Sequence, residues 1–319
     1  MTLEKQVRMN GNNGPTFGER IRIFFGLSRM SHSILDMAHP GVGALLVLGA
    51  FPDGSTLVLG FLAAFAGFTS VFALNDVMDW RVDSEKMEKY RRESSAFDLD
   101  ALGFRHPIAQ GKLRYASAFG WVFFWGVLSL WLAYLLKPLC AAILVAAISL
   151  EVGYCSLLRV THWKVLLSGC MVGIGSLAGI YAVMDAPPPL FALLFFAWTF
   201  SWEVGGRNIP NDWADLDEDI NLGIRTFPVR YGRRLSSRIS FAFLGITVLS
   251  SLFFPLLVPV KYGFAYQAAA LAAGIVFLIV PGTRWVLDQS TESAMALFNR
   301  ACLYPLCVFI LVIFLIVLQ

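Results

Sequence analysis

Charged residues are scarce in this chain. Only 15% of its 319 residues are charged, 57% are hydrophobic, and the mean hydropathy is +0.65. This composition excludes a soluble globular protein and predicts one that lies in a bilayer, in contact with membrane lipids. The net charge of +3 gives no reason to expect a nucleic acid as a partner.

Cysteines are few as well. The five cysteines lie within or beside apolar segments, and none shows Cys-x-x-Cys spacing. We therefore expect these cysteines to pack as small apolar residues and not to bind a metal or form disulfides. The N-terminal stretch also lacks the apolar core of a cleavable signal peptide. We expect residues 1–28 to form a mobile cytosolic tail and residues 29–319 to form a single transmembrane domain.

What the chain does contain is long apolar runs. A helix needs about 17–25 mainly apolar residues to cross a bilayer. The sequence predicts an all-α, multi-pass bundle of nine such helices around a central cavity. The predicted spans are 33–51, 55–75, 115–135, 138–158, 164–184, 188–207, 237–259, 264–281 and 298–318.

The positive charges predict how these spans are oriented. Cytoplasmic loops of membrane proteins carry an excess of Lys and Arg. With the N-terminus inside, every Lys and Arg except Lys137 and Lys261 falls on the cytosolic side. We therefore expect an integral membrane protein with a cytosolic N-terminus, in the inner membrane if the source is a bacterium.

One acidic pattern occurs twice. The first acidic motif is Asn75-Asp76-x-x-Asp79-x-x-x-Asp83, and the second acidic motif, 136 residues later, is Asn211-Asp212-x-x-Asp215-x-x-x-Asp219. On a helix, offsets of three and seven residues place the three Asp of each motif on one face. Like charges this close repel, so a cation is expected among them. Carboxylate and amide oxygens without His or Cys suit Mg²⁺, which is commonly shared with substrate phosphates.

The two motifs follow the second and the sixth predicted spans. This placement suggests two four-helix pseudo-repeats plus one helix, with the motifs facing each other at the cytosolic mouth of the cavity. Each motif opens a long charged stretch, about 76–114 and 208–236, that we expect to form a cytosolic cap loop. The mixed charges of residues 84–93 predict a solvated helix face.

Polar residues inside or beside the spans are candidates for substrate contacts. The cations available to a diphosphate are Arg105, Lys112, Arg159, Lys164, Arg207, Arg225 and Arg230, and positive-inside topology alone is the alternative for each. Arg207 ends the sixth span one turn before the second acidic motif, where a lone charge would otherwise be costly. Asp36 and His39 are three residues apart in the first span and form a candidate acceptor site. Glu151 and Glu203 are further intramembrane acids. Pairing with another helix is the alternative for each of them.

These features favour chemistry on a prenyl diphosphate. A metal-bound diphosphate leaves readily from an allylic carbon, and its departure produces a carbocation. Aromatic faces can shelter that cation, and an apolar bundle offers a long isoprenoid chain a tunnel. The sequence therefore predicts a Mg²⁺-dependent enzyme that acts on an isoprenyl diphosphate within the membrane.

At this point the residues resemble the UbiA superfamily of intramembrane prenyltransferases. Both acidic motifs match, and the resemblance covers most of the chain. His106 stands where the family usually has Arg, Arg159 where it usually has Lys, and the stretch from Asp83 to His106 is longer than usual. Three further segments are similar to the family: 106–112 (His-Pro-Ile-Ala-Gln-Gly-Lys), 154–159 (Tyr-Cys-Ser-Leu-Leu-Arg) and 223–232 (Gly-Ile-Arg-Thr-Phe-Pro-Val-Arg-Tyr-Gly).

The resemblance implies nine helices around a central cavity, Mg²⁺ as cofactor, a prenyl diphosphate donor and an aromatic or other lipophilic acceptor. Taken with the spacing, it places the metal ligands at Asn75, Asp79, Asp83, Asn211, Asp212, Asp215 and Asp219. The residues expected to take part in catalysis are Asp76, Asp79, Asp215, Lys112 and Arg159. Together with the polar residues above, the expected substrate contacts are Arg105, His106, Lys112, Tyr154, Arg159, Arg207, Asp36 and His39.

Two alternatives stay open. If no acceptor enters, the carbocation can be quenched by the isoprenoid's own double bonds, which would make the protein a terpene cyclase on the same scaffold. Intramembrane acids also occur in transporters and ion channels. Against transport, both acidic motifs are predicted on one side of the membrane, and the outer loops are short and nearly uncharged.

Overall fold

The chain folds as a bundle of helices. The computed structural model describes residues 16–89, 104–258 and 263–318, and within these ranges it contains helices and no strand. The first half comprises α1 (Phe17–Leu27), α2 (Met30–Asp36), α3 (Ala38–Leu48), α4 (Gly54–Lys89), α5 (Tyr115–Leu136), α6 (Pro138–Ser156) and α7 (Lys164–Val183). The second half comprises α8 (Pro189–Trp202), a π-helical segment (Glu203–Asn208), α9 (Ile209–Ala214), α10 (Leu216–Leu222), α11 (Phe227–Leu257), α12 (Gly263–Gly274), a second π-helical segment (Ile275–Ile279), α13 (Val280–Asp288) and α14 (Thr291–Val317).

Seven helices in the described ranges are long and apolar enough to cross a membrane. They are α4, α5, α6, α7, α11, α14 and the continuous run from α12 to α13. Many of their large apolar side chains face outward, and Trp131, Phe253 and Phe314 are each more than half exposed. A lipid environment accommodates such a surface, whereas water does not. The prediction of an all-α, multi-pass membrane protein is confirmed.

Two of the predicted spans are interrupted. The span predicted over 33–51 consists of α2 and α3, joined at Met37. The span predicted over 188–207 consists of α8 and the π-helical segment Glu203–Asn208. Neither is one regular helix of spanning length, so the count of nine spans stays a prediction.

The π-helical segment after α8 has a local cause. Pro210 has no N–H to donate to the carbonyl of Gly206, which leaves the preceding turn without one α-helical bond. Gly205 lies against α11, where an added Cβ would come within 2.7 Å of the Ser240 carbonyl oxygen. Wide turns of this kind are frequent at functional sites. Every residue of the segment is buried, its charged side chains included.

Two hydrophobic cores hold the bundle together. The larger core packs Trp198 and Trp202 of α8 against α3, α11 and α14. The smaller core packs Leu27 of α1 and Ile108 against α4 and α5. Within a bilayer, such packing is driven mainly by van der Waals contact, because lipid tails are as apolar as these side chains. The smaller core thereby fixes the segment that carries His106 beside the first acidic motif.

The stretch predicted as a mobile tail contains a helix. Residues 1–15 lie outside the described residues. From Thr16 onward the chain forms α1, which starts with a capping box between Thr16 and Glu19 and buries Ile23 and Leu27. Residues 17–27 therefore belong to the folded protein, because the apolar face of α1 packs against the bundle.

The two predicted cap loops are partly helical where they are described, and residues 104–114 of the first form turns without a helix. Helix α4 continues through the first acidic motif to Lys89, and residues 90–103 lie outside the described ranges. Residues 208–236 contain α9, α10 and the start of α11. A helical backbone positions the carboxylates more firmly than an irregular loop would.

Candidate active site

The two acidic motifs line one cavity. It has a volume of about 200 Å³ and lies between α4, α6, α7 and the segment that runs from the first π-helical turn to α10. All residues predicted as metal ligands line it, namely Asn75, Asp79, Asp83, Asn211, Asp212, Asp215 and Asp219. Carboxylates that are distant in sequence therefore converge on one space.

The first acidic motif lies on an uninterrupted helix, α4. Asp79 and Asp83 line the cavity, whereas Asp76 is buried and does not. Nδ1 of His106 lies 2.8 Å from Asp76 Oδ1 and 2.8 Å from Asp83 Oδ2. Asp76 thus contacts the imidazole of His106, and its part in catalysis stays a prediction.

The second acidic motif departs from the prediction of one helical face. Its helix is interrupted at Asp215, where φ is −96° and ψ is 7°, and α10 begins at the next residue. The prediction of a single stripe is wrong here because a residue in the bridge region separates two short helices. Asp212, Asp215 and Asp219 nevertheless all line the cavity.

Lys86 links the two acidic motifs. It lies on α4, three residues after Asp83, and its Nζ is 2.9 Å from Asp219 Oδ1 and 3.3 Å from Asp215 Oδ2. The side chain is only 17% exposed, although the sequence predicts a solvated face here. Since one lysine side chain spans the gap, a group the size of a diphosphate can reach both motifs.

A buried lysine lies on the other side of the second motif. Lys164 is 1% exposed, and its Nζ lies 3.1 Å from the Tyr154 hydroxyl and 3.5 Å from Asp212 Oδ2. Asn208 donates to the same hydroxyl over 3.2 Å. The fold therefore places Lys164, and not Arg159, beside Tyr154.

Two arginines line the cavity near the first motif. Arg29 precedes α2 with a φ of 40°, and its Nη2 donates to Asn75 Oδ1 over 3.3 Å. Asn75 in turn donates from Nδ2 to Glu151 Oε1 over 3.0 Å. Arg105 donates from Nε to Nε2 of His106 over 3.2 Å. These bonds hold the first motif between α2, α6 and the segment after residue 104.

Two residues predicted to contact the diphosphate lie away from the cavity. The Arg159 guanidinium pairs with Glu85 where both side chains are more than 40% exposed. Nζ of Lys112 lies 3.3 Å from the centroid of the Phe104 ring, and partial burial lowers the pKa of this lysine. Neither Lys112 nor Arg159 lines the cavity. The structure does not bring them to the acidic motifs.

A buried ion-pair cluster lines the same cavity. Nη1 of Arg207 lies 2.7 Å from Asp36 Oδ2 and 3.5 Å from Glu203 Oε2. Ser168 donates to Glu203 Oε1 over 2.7 Å. We call these four residues, each less than one tenth exposed, the Arg207 cluster. It joins α2, α7 and the π-helical segment, so the intramembrane acids pair between helices and still face the cavity.

A second cavity adjoins the first and is apolar. It has a volume of about 150 Å³ and is lined by many small residues, including Gly67 of α4 and Gly175 of α7. Phe68 and Met171 line both cavities. His39 lines this second cavity and not the first. A polar compartment and an apolar one therefore lie side by side and share part of their lining.

Burial and neighbouring charges shift the pKa values of groups at the mouth of the polar cavity. Burial raises the pKa of Asp219 to about 6, and Lys86 offsets only part of this. Burial also raises the pKa of Asp212. Burial alone would lower the pKa of His106, but the carboxylates around it, above all Asp83, raise it. Ionising all these acids together is therefore costly, and a divalent cation would remove that cost.

The residues at the mouth fit a divalent cation. Oδ2 of Asp76 is buried and has no hydrogen-bond partner among the described residues. Ligand atoms of Asp76, Asp83 and His106 all lie within 4.8 Å of one another. The other donors that line the mouth are carboxylate and amide oxygens, which Mg²⁺ prefers.

Comparison with known proteins identifies the scaffold. The family model described as the UbiA prenyltransferase family matches residues 40–303, a range that contains both acidic motifs. The chain belongs to the UbiA prenyltransferase family. The protein is therefore a membrane-embedded prenyltransferase, as the motifs predicted.

Two relatives indicate the range of reactions within the UbiA family. Digeranylgeranylglyceryl phosphate synthase of Thermococcus gammatolerans is 24% identical over 250 residues, which cover 76% of this chain and 81% of that protein. Protoheme IX farnesyltransferase of Stutzerimonas stutzeri is 26% identical over 283 residues, which cover 84% of this chain and 85% of that protein.

Solved UbiA structures share the fold. A UbiA homologue from Aeropyrum pernix superposes with a TM-score of 0.72 at 18% identity, over 89% of this chain and 98% of that one. A UbiA homologue from Archaeoglobus fulgidus, solved with DMAPP and Mg²⁺ bound, superposes with a TM-score of 0.67 at 18% identity, over 91% of this chain and 98% of that one. At this sequence identity, the superpositions show a shared fold and no more.

Two cations that line the cavity, Arg29 and Lys86, are not among the residues expected there. A signal for Lys86 exists, since a lysine three residues after Asp83 shares the acidic face if the helix continues past the motif. Arg29 lies just before a helix, and the sequence carries no pattern that directs it inward.

Proposed function

We propose that this UbiA-family enzyme transfers an isoprenyl group from a prenyl diphosphate to an aromatic or other lipophilic acceptor within the membrane, with Mg²⁺ bound by both acidic motifs. The observation that carries the proposal is the convergence of both motifs on one cavity that adjoins an apolar one. Residues 29–319, together with the packed helix α1, would form one catalytic transmembrane domain, with the N-terminus and the cavity mouth on the cytosolic side.

The mouth of the cavity would hold the diphosphate. Mg²⁺, when bound, neutralises the diphosphate oxygens and improves the diphosphate as a leaving group. Its ligands would come from Asn75, Asp79, Asp83, Asn211, Asp212, Asp215 and Asp219, the residues that face the cavity from both motifs.

Fixed cations would stabilise the leaving diphosphate further. Lys86 and Lys164 lie on opposite sides of the second motif, and Arg29 lies beside the first. A fixed charge in a poorly solvated cavity stabilises developing negative charge more strongly than it would in water. The Tyr154 hydroxyl accepts from Lys164 and Asn208, so its own hydrogen can be donated to the diphosphate.

The wall between the two cavities would shelter the carbocation. Phe68, Phe72 and Phe298 line the polar cavity on its apolar side. Aromatic faces stabilise a cation without reacting with it. The adjoining apolar cavity would take the isoprenoid tail, since its lining residues are almost entirely apolar.

Relatives support this class of donor. The Archaeoglobus fulgidus homologue has been solved with DMAPP and Mg²⁺ and with GPP and Mg²⁺. The curated relatives are a digeranylgeranylglyceryl phosphate synthase and a protoheme IX farnesyltransferase, two enzymes with different acceptors. The acidic motifs and the Arg207 cluster are separate groups of residues. This separation suggests that the donor site can be kept while the acceptor site varies.

A product assay tests the proposal. The purified protein would be incubated with Mg²⁺, prenyl diphosphates of several lengths and a panel of phenols, phenolic acids and lipid alcohols, and lipid-soluble products would be read by mass spectrometry. We expect a prenylated acceptor and release of diphosphate. A hydrocarbon product without any adduct would instead indicate a terpene cyclase.

Matched variants test the assignment of the metal ligands. Asp79→Ala and Asp215→Ala should abolish turnover. Asp217→Ala is the control, because this carboxylate lies between Asp215 and Asp219 in sequence but is 83% exposed and pairs with Arg233. Activity near wild type in the first two variants would show that the acidic motifs do not bind the metal.

A further inference from the structure

We propose that the acceptor of this enzyme presents a neutral hydroxyl group, and not a carboxylate, to the reaction centre, and that Asp36 accepts the hydroxyl proton. The proposal rests on the proposed prenyl transfer and adds the chemical class of the acceptor. It concerns the Arg207 cluster and the neighbouring His39.

The Arg207 cluster carries excess negative charge. Its one cation, Arg207, faces two carboxylates, Asp36 at 2.7 Å and Glu203 at 3.5 Å. Recognition of a substrate carboxylate by arginine normally uses a free guanidinium edge with two parallel bonds. Here Nη1 already faces both carboxylates, while Nε is buried without a hydrogen-bond partner among the described residues. A third carboxylate that bound to this edge would still enter a poorly solvated site whose net charge is negative.

The remaining cations of the polar cavity serve its mouth. Each contacts the acidic motifs or His106, which is itself bound to the first motif. They are Arg29, Lys86, Arg105 and Lys164. A carboxylate-bearing acceptor would therefore have to compete with the diphosphate for these groups.

Unpartnered polar atoms point to a ligand that both donates and accepts. Asp36 lines the polar cavity, and its Oδ1 is buried and has no hydrogen-bond partner among the described residues. Both ring nitrogens of His39 are likewise buried without a partner in the described ranges, and His39 lines the adjoining apolar cavity. Buried polar atoms without partners are costly. A hydroxyl group can donate to Asp36 and accept from His39, whereas an ionised carboxylate can only accept.

The same geometry supplies a base for the transfer step. The acceptor O–H bond breaks and its proton passes to Asp36, while the acceptor oxygen forms a bond to C1 of the prenyl group. The bond from C1 to the diphosphate oxygen breaks, and its electron pair leaves with the diphosphate. The ion pair with Arg207 favours the carboxylate form of Asp36 before the step, and Glu203 stays paired with Arg207 after it.

Matched acceptors test the class directly. 4-Methylphenol would be compared with 4-hydroxybenzoate, and a medium-chain alcohol with the ω-hydroxy acid of the same length. We expect at least about tenfold higher kcat/KM for the neutral member of each pair, since like charges in such a site oppose binding. Equal or better use of the carboxylates would overturn the proposal while leaving prenyl transfer intact.

Two substitutions test the residue roles. Asp36→Asn should lower kcat with alcohols by about 10²-fold, the usual contribution of a general base, and leave the KM for the donor within about twofold. The loss should be smaller with acidic phenols that ionise without help, a pattern that mere misfolding would not give. Glu203→Gln retains an acceptor for Ser168 but frees Arg207 from one carboxylate, so it should raise kcat/KM for 4-hydroxybenzoate about tenfold.

Asp185→Asn serves as the control, because this carboxylate is 90% exposed and pairs with Lys137. An equal loss for all acceptors in Asp36→Asn, or no gain for 4-hydroxybenzoate in Glu203→Gln, would contradict the assignment. If Asp36→Asn fails to fold, the Glu203→Gln variant and the matched acceptor pairs still test whether the acceptor is a neutral hydroxyl compound. No prenylated product with any acceptor would overturn both the proposed function and this inference.

Discussion

The two acidic motifs share one sequence pattern but differ in structure. The first lies on α4, a single helix of 36 residues, and is bound by the imidazole of His106. The second is broken at Asp215 and is flanked by the ammonium groups of Lys86 and Lys164. The Asn and the last two Asp of each motif line the cavity, but the second position differs, since Asp212 lines it and Asp76 does not. The surrounding chain determines the backbone path of each motif and the cationic side chains that contact it.

The largest expected effect compares the last carboxylate of each motif. Asp83→Asn and Asp219→Asn should each lower kcat/KM by about 10²-fold or more, because both remove a charged oxygen that faces the diphosphate site. Steady-state assays at saturating Mg²⁺ would measure this. A large loss in one variant and none in the other would show that only one motif binds the metal-bound diphosphate.

A smaller loss should separate the two cations that follow Tyr154. Lys164→Met leaves Asp212 buried beside no ammonium group, and breaking a buried pair in this way costs about 3–5 kcal/mol of stability. We expect a lower midpoint of thermal unfolding and about 10²-fold lower kcat/KM. Arg159→Met is the control and should stay near wild type, because Arg159 forms an exposed pair with Glu85. The reverse ranking would restore Arg159 as the diphosphate ligand.

Lys86 should have opposite effects on metal binding and on turnover. Lys86→Gln removes an ammonium group 2.9 Å from Asp219, so the substrate-free protein should bind Mg²⁺ about three- to tenfold more tightly. Turnover should fall, because the same side chain faces the diphosphate. Calorimetric titration without donor measures the first effect and product formation the second. Weaker Mg²⁺ binding in the variant would contradict the placement of Lys86 between the motifs.

The smallest expected effect concerns Lys112. This side chain lies over Phe104 and outside the cavity, so Lys112→Met should change kcat/KM by less than about twofold, as is usual for a surface substitution. A tenfold rise in the KM for the donor would place Lys112 at the diphosphate after all.

Much of the architecture and chemistry follows from the sequence. Apolar runs predict the membrane helices, and two copies of an acidic pattern predict a shared cavity that both motifs line. The break at Asp215 was not predictable, because helical spacing assumes a continuous helix. Lys164 was one of several candidate cations that the sequence could not rank, since a lysine at the start of a span normally faces the cytosol. Only packing against Tyr154 shows that its side chain turns inward.

The most direct test of the central claim is Mg²⁺-dependent binding of a non-reactive prenyl thiodiphosphate. It would be measured by calorimetry for wild type, Asp79→Asn and Asp215→Asn, with Asp217→Asn as the control. Binding in wild type should require Mg²⁺, and each of the two cavity variants should weaken it at least about tenfold. Equally tight binding without Mg²⁺, or binding that survives loss of either motif, would contradict a diphosphate held between the two.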